Sequence, residues 1–396
     1  MYDVIVIGGG PAGMMASIMA TSNNKKVLLI EKNNKVGKKL ELTGGGRCNL
    51  TNLKNIEDFI NEIPVNNKFL YSTLNNFGPE DIYNYFNSIG VSLKIEELDR
   101  VFPKDNKSMT IINALYKQML NNKVIINFNE KVKTINLKNK YKEVITNKKT
   151  YQTNKVIITT GGLSYPETGS TGDGYSIAKD INQAVTDLYP AETYLICKDI
   201  LPLTGITLDN VVIHFNKKQQ EGSLLFTHKG ISGPAVFKIS EEVYKGLKEN
   251  KYVTINVDLI PSYTSNQLLD KLNTYDHKKE ISSFIKEYLP KRLADYIVNG
   301  FESNVKIGML SNINKQKLID ILKNFKIDIK ETGSISRSFV TGGGIDLKYI
   351  NPKTMESTIN KDIYFAGEVL DIHGHTGGYN ITIALSTGYT AGNACR

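Results

Sequence analysis

Apolar residues recur along this chain with two different periods. Residues 2–7, YDVIVI, form a short β-branched run, the pattern of a strand buried on both faces. MMASIMATSN (14–23) then reads as a helix, and KKVLLIEKN (25–33) as a second strand ending at Glu31. Two later runs, KVIITTGG (155–162) and DIYFAGEVLD (362–371), predict further buried strands that run into glycines. Between 194 and 260 the pattern alternates, as in NVVIHF and YVTINVDL, and predicts several short strands. From 262 to 330 it changes to helical spacing, as in NQLLDKL, ISSFIKEYLPKRLADYIV and KQKLIDILKNF. Pro261 and TGSISRSF (332–339) punctuate the ends of that stretch. No internal repeat is visible.

The first elements make a βαβ unit. GGGPAG joins strand to helix, with Gly8, Gly10 and Gly13 at G-x-G-x-x-G spacing and Glu31 about 20 residues further on. Gly8 permits a tight turn, Gly10 lets a pyrophosphate approach the backbone, and Gly13 lets the helix pack close to the strand. The helix start offers free N–H groups and a positive dipole end to phosphates. Glu31 can accept hydrogen bonds from a ribose and disfavours a 2′-phosphate, so the unit suits FAD or NAD rather than NADP.

The segment after the second strand separates those two cofactors. VGKKLELTGGGRCNLTN (36–52) holds three consecutive glycines and then Arg47, Cys48 and Asn49: a second loop of backbone donors with a fixed cation. NAD dehydrogenases have no use for such a loop, whereas FAD enzymes of the glutathione-reductase type run one along pyrophosphate and flavin. The strand ending in Gly161 and Gly162, and the AGE turn after residue 364, fit the same plan. Gly377 and Gly378 open a final helix whose positive end can stabilise an anionic reduced flavin.

The chain has 396 residues, which predicts more than one structural unit. No apolar run approaches the roughly 20 residues needed to span a bilayer, and nothing at the N-terminus reads as a signal peptide. Cys48, Cys197 and Cys395 show neither metal-ligand nor CxxC spacing, so no metal is expected and a reducing, cytoplasmic setting is. The absence of CxxxxC spacing argues against disulfide-reductase chemistry. A net charge of +9 fits a polyanionic partner such as RNA. It also fits AT-rich coding, because lysine supplies most of it and arginine occurs only five times.

GGGPAG (8–13), TGGGRCNLTN (43–52), TGGLSYPETGSTGDGY (160–175), LLFTHKGISGPAVFKIS (224–240), VTGGGID (340–346) and FAGEVLDIHGHTGGYNITIALSTG (365–388) resemble the bacterial aminoacetone-oxidase-like (BaiN/RdsA) family of NAD(P)/FAD-dependent oxidoreductases. The resemblance implies an α/β fold. Its Rossmann-type, glutathione-reductase-like FAD-binding domain would be assembled from 1–192 and 335–396, with a β-rich insert at 193–261 and a helical insert at 262–334. The expected FAD-binding set is Gly8, Gly10, Pro11, Ala12, Gly13, Glu31, Lys32, Lys39, Thr43, Gly44, Gly45, Gly46, Arg47, Cys48, Asn49, Val132, Thr160, Gly161, Gly162, Gly367, Glu368, Gly377, Gly378, Tyr379, Asn380 and Ile381.

Members of the family are associated with enone reduction in steroids, oxidation of small amines, and reduction of a uridine of large-subunit ribosomal RNA to dihydrouridine. The net charge and basic segments such as HKG at 228 and KRL at 291 favour the RNA substrate; a solvated lysine surface would explain them equally. A small-molecule amine oxidase or enone reductase is the alternative, and a non-catalytic flavin-binding protein a second. A proton donor is required, and His228, Cys48 and Tyr379 are its candidates, while His373 and His375 read as solvated loop residues. No second G-x-G-x-x-G is present for a nicotinamide domain, so NAD(P)H is expected as a transient reductant at the flavin face, unless another protein supplies the electrons.

Overall fold

The structure, a computed structural model, describes residues 1–301 and 305–395; residues 302–304 of the expected helical insert and residue 396 lie outside the described residues. The chain forms two compact units, Met1–Tyr189 with Phe339–Arg396, and Pro190–Ser338.

The first unit is built on the strand Tyr2–Ile7, which is apolar because both its faces are covered. It pairs in parallel with Val27–Ile30 on one side and Thr150–Ile158 on the other, and Val27–Ile30 pairs with Ile125–Asn127. Thr150–Ile158 divides its edge. Its first half takes the antiparallel strand Lys142–Thr146, which carries Val132–Leu137, and its second half takes Ile363–Phe365 in parallel. The chain's end is thereby stitched two strands from its beginning. A separate three-stranded sheet is made of Thr51–Asn52, Arg100–Pro103 and Leu93–Glu96, in that order.

Two helices cross behind the first strand, Pro11–Ala20 and Tyr379–Ala394. Glycine decides how closely. A Cβ on Gly388 would lie 2.3 Å from the Ala12 carbonyl oxygen, and one on Gly392 would lie 2.5 Å from that of Ala16. Gly388 and Gly392 are one turn apart, so the last helix presents a bare stripe to the first. Gly13 does the same toward the strand: its Cβ would fall 1.9 Å from the Gly8 carbonyl oxygen.

The second unit is a seven-stranded sheet in the order Phe325–Ile329, Val253–Asp258, Thr207–Phe215, Lys218–Thr227, Gly230–Ser232, Leu195–Ile196, Glu331–Thr332, with every pairing antiparallel. Val253, Ile255 and Val257 point into one core with Leu268, Leu293, Leu318 and Leu322 from the helical stretch. The segments expected as a β-rich and a helical insert therefore share one core. The stretch 262–334 also supplies the edge strand Phe325–Ile329, whose alternation lies at the end of a helix-spaced run.

Overpacking a helix contact typically costs about 1–3 kcal/mol. Gly388→Val should therefore lower stability by about that amount, read as a shifted denaturant midpoint. An unchanged midpoint would mean that the first and last helices do not meet backbone to backbone.

Candidate functional site

The first unit contains a cleft of about 490 Å³, lined along its length by residues from both chain ends. Its floor is the turn after the first strand. Gly8 adopts φ +102°, and its N–H donates to the Ile30 carbonyl at 2.9 Å. The next helix starts with Pro11, which lacks the N–H that would be orphaned there. Gly10 caps it without a side chain, so its first-turn N–H groups have no side-chain partner. A Cβ on Gly10 would meet no atom within 4 Å, and the same holds for Gly45. Both backbones open onto ligand space.

Glu31 has a job that the spacing did not reveal. It is 6% exposed, and its two carboxylate oxygens accept from the backbone N–H groups of Gly9 and Asn33, each at 2.7 Å. It clasps the glycine turn to the end of the second strand, and its remaining lone pairs face the cleft wall it helps to form.

Most lysines of the wall are already partnered. Lys32 meets Asp173 at 2.6 Å, and Lys131 meets the other oxygen of Asp173 at 3.0 Å. Burial would raise the Asp173 carboxyl, but these two ammoniums hold it below its ordinary value. Lys39 reaches Glu368 at 2.7 and 2.9 Å and the Ser164 hydroxyl at 2.6 Å. The Ser164 hydroxyl and the Thr341 N–H also donate to Glu368, at 3.0 and 3.1 Å. Burial opposes ionisation of Glu368 as well, and the Lys39 charge with these donors brings it below the usual carboxylate range.

The glycine-rich loop is bent as its composition requires. Gly44, Gly45 and Gly46 all have positive φ. Arg47, expected as a flavin or phosphate contact, is paired with Glu96. It also donates to Asn106 at 3.0 Å and stacks 4.1 Å above the Phe102 ring. Its charge stiffens the wall rather than standing free in the cleft.

Of the residues expected to hold the cofactor, Gly8, Gly10, Pro11, Ala12, Glu31, Lys32, Lys39, Thr43, Gly44, Gly45, Arg47, Asn49, Val132, Thr160, Gly161, Gly367, Glu368, Gly377, Gly378, Asn380 and Ile381 line the cleft. Gly13, Gly46, Cys48, Gly162 and Tyr379 do not. The wall residues Ser170, Asp173, Tyr165, Lys131, Arg100 and Phe102 were not singled out from the sequence. The first three lie in the TGGLSYPETGSTGDGY segment, where the glycines mark a turn along the sequence and the polar residues carry no spacing that marks a wall. The set fits FAD. It offers uncapped N–H groups at one floor, a glycine cradle beside it, and apolar walls from Leu40, Ile372, Ile381 and Ile383. Thr160 Oγ1 and Asn49 Oδ1 are buried without a hydrogen-bond partner among the described residues.

The three acid candidates fare differently. Cys48 is fully buried at φ +59°, and burial pushes its thiol up to about 12 against a Thr43 hydrogen bond that pulls it down. A thiol without access or thiolate character packs rather than reacts. Tyr379 is buried, with the Lys54 ammonium 5.9 Å from its ring centre and its ring edge-on to Phe59 at 4.9 Å. His228 lies in the exposed turn between Lys218–Thr227 and Gly230–Ser232 of the second unit, not in the unit that holds the cleft. His373 and His375, expected in a solvated loop, are 1% and 8% exposed, because the segment between Leu370 and Gly377 is folded back onto the core.

A carboxyl held low in the fold contributes stability above its unfolded pKa, and that contribution is lost as the pH falls through the folded value. Lys39→Met should leave Glu368 without its cation and cost about 2 kcal/mol near neutral pH, less than for a fully buried pair because both groups keep some solvent contact. The deficit should shrink as the pH falls through the carboxylate range, since Glu368 is then neutral in both proteins. Denaturation midpoints across that range test this; a pH-independent deficit would contradict it.

Known proteins agree with this architecture. The HI0933-like protein Rossmann domain family matches residues 2–394. The ribosomal RNA dihydrouridine synthase of Escherichia coli (strain K12) is 30% identical over 396 residues, covering 98% of this chain and 96% of its own. The 3-dehydro-bile acid delta(4,6)-reductase of Clostridium scindens is 28% identical over 408 residues, covering 100% of this chain and 99% of its own. Among solved structures, 3-ketosteroid delta1-dehydrogenase from Sterolibacterium denitrificans in complex with 1,4-androstadiene-3,17-dione has a TM-score of 0.55 at 12% identity, covering 100% of this chain and 99% of that one, a likeness of fold. Matched almost end to end, and carrying the Rossmann-type FAD-binding cleft, the chain belongs to the HI0933-like protein Rossmann domain family and is an FAD-dependent oxidoreductase.

Proposed function

We propose that the enzyme reduces a conjugated C=C, and that its substrate is a uridine of large-subunit ribosomal RNA. The observation that carries the reading is the near full-length likeness to a ribosomal RNA dihydrouridine synthase at 30% identity. The net charge of +9 supports it, because a polyanion must be attracted before one base can be presented. The bile-acid reductase relative points to a small enone, which would need the same half-reactions.

Reduced FAD, when bound, supplies a hydride to the alkene carbon β to the carbonyl. The residues assigned to hold it are the uncapped helix start at Gly10–Ala12, the Gly44–Gly45 cradle, and Gly377, Gly378, Asn380 and Ile381 where the last helix begins. NAD(P)H, bound transiently, is assigned as the source of the electrons.

The chain itself must deliver a proton to the α carbon. On the cleft wall, Glu31, Asp173 and Glu368 are engaged as carboxylates in clasps and ion pairs. Tyr165 is different. It lines the cleft in the left-handed region at φ +56°, which a bulky residue adopts only when its surroundings impose it. Its hydroxyl has no hydrogen-bond partner among the described residues, and Lys39 lies 5.9 Å from its ring centre. Burial, helped by Glu167, raises its pKa, so the phenol carries its proton at neutral pH. We assign Tyr165 as the donor.

Two outcomes test this reading. Cells lacking the gene should lose one dihydrouridine from the large ribosomal RNA, restored by the wild-type copy, with transfer-RNA dihydrouridine unchanged. No loss would turn the assignment toward the small-molecule enone. Tyr165→Phe should keep its FAD but slow reduction by about 10²–10⁴-fold, the usual contribution of a general acid. A normal rate would remove Tyr165 from this role.

A further inference from the structure

We propose that the turn Glu97–Asp99 occupies the gap left in the RNA strand when the target base swings into the cleft; this rests on the ribosomal RNA reading above. The turn joins the strands Leu93–Glu96 and Arg100–Pro103. Its tip is Leu98, 75% exposed and at φ +60°, followed by Asp99 at φ +57°. Two successive non-glycine residues in the left-handed region, one of them a leucine held out in water, form a strained arrangement that something must fix.

The fixing bonds lead to the cleft. The Asn52 side-chain amide donates to the Leu98 carbonyl at 2.9 Å and to the carbonyl of Gly377, a cleft residue, at 3.3 Å. The Leu53 N–H donates to the Asp99 carbonyl at 2.9 Å. The residue after the turn, Arg100, lines the cleft. Its Nε is tied to the Glu97 carbonyl at 2.9 Å, and its two Nη groups have no acid partner among the described residues. An apolar tip thus lies two residues along the chain from an available guanidinium fork on the wall of a cleft whose proposed substrate is one base of a stacked strand.

Enzymes that act on a base must take it out of its stack, and inserted leucine or phenylalanine side chains are a common means of filling the space. Leu98 serves as the wedge, and Arg100 holds the phosphate beside the extruded nucleotide. Charge alone would not bring RNA to this turn. Glu96 is taken up by Arg47 and Lys94, and Glu97 and Asp99 oppose Arg100, so the neighbourhood is close to neutral. The contact is therefore one of shape with a single phosphate grip.

The test uses the FAD-loaded enzyme, its flavin reduced with dithionite, and an RNA fragment spanning the mapped uridine, with 2-aminopurine as its neighbour. Leu98→Gly relaxes the backbone while removing the wedge, so FAD content and thermal midpoint should hold or rise. The fluorescence gain on binding and the dihydrouridine yield should both fall about tenfold or more. Arg100→Gln should lower the slope of log affinity against log salt by about one. If Leu98→Gly extrudes and reduces the base as the wild type does, the wedge is wrong while the substrate reading stands. If the wild type itself forms no dihydrouridine in ribosomal RNA, the substrate reading fails and the wedge falls with it.

Discussion

The first unit depends on two helices meeting at backbone distance. The helix Pro11–Ala20 and the helix Tyr379–Ala394 both start at the cleft, each behind a glycine without a capping side chain. The second half of the last helix lies against the first half of the other, because Gly388 and Gly392 leave room for the carbonyls of Ala12 and Ala16. Close packing of bare helix surfaces stabilises the pair, and each helix start is left to offer its positive end to an anionic ligand in the cleft. The parallel pairing of Ile363–Phe365 with Thr150–Ile158 holds the last helix in reach of the first.

The charges of the cleft obey the same constraint. A wall meant to receive phosphates cannot leave many cations loose, since unpaired charge in a half-buried place is costly. Lys32 and Lys131 share Asp173, Lys39 is paired with Glu368, and Arg47 with Glu96. Each pair also ties distant segments together: Lys39 lies in the short helix Lys38–Leu42 before the second glycine loop, whereas Glu368 comes from the AGE turn some 330 residues later. Such a pair orders the wall before any ligand arrives, which lowers the entropy lost on binding. Glu31 works in the same sense, because its clasp of Gly9 and Asn33 fixes the turn that a ribose and a pyrophosphate would meet.

The second unit is organised differently. Its sheet is antiparallel throughout and buries one face, so its strands alternate where those of the first unit run apolar. Its helices have no separate core to form, because stripes such as Leu268 and Leu272 must be buried against the sheet. This is why a change of period in the sequence does not mark a boundary in the fold.

The order of residues alone already specifies the glycine turn, the βαβ unit, the second glycine loop and the final helix. Each is a local requirement: a positive φ at Gly8, close approach at Gly13, an uncapped helix start at Gly10. Such needs can be met by only one or two residue types, and so they show in the letters of the chain. Charge partners leave no such mark. Nothing in a lysine's neighbours along the chain says that Lys39 finds Glu368 or that Arg47 finds Glu96, since both bonds span folds of chain that only tertiary structure closes. Burial is likewise a property of the assembled unit. It withdrew Cys48 and Tyr379 from the cleft surface, drew His373 into the core and left Tyr165 on the wall, although all four are plausible proton donors as residue types.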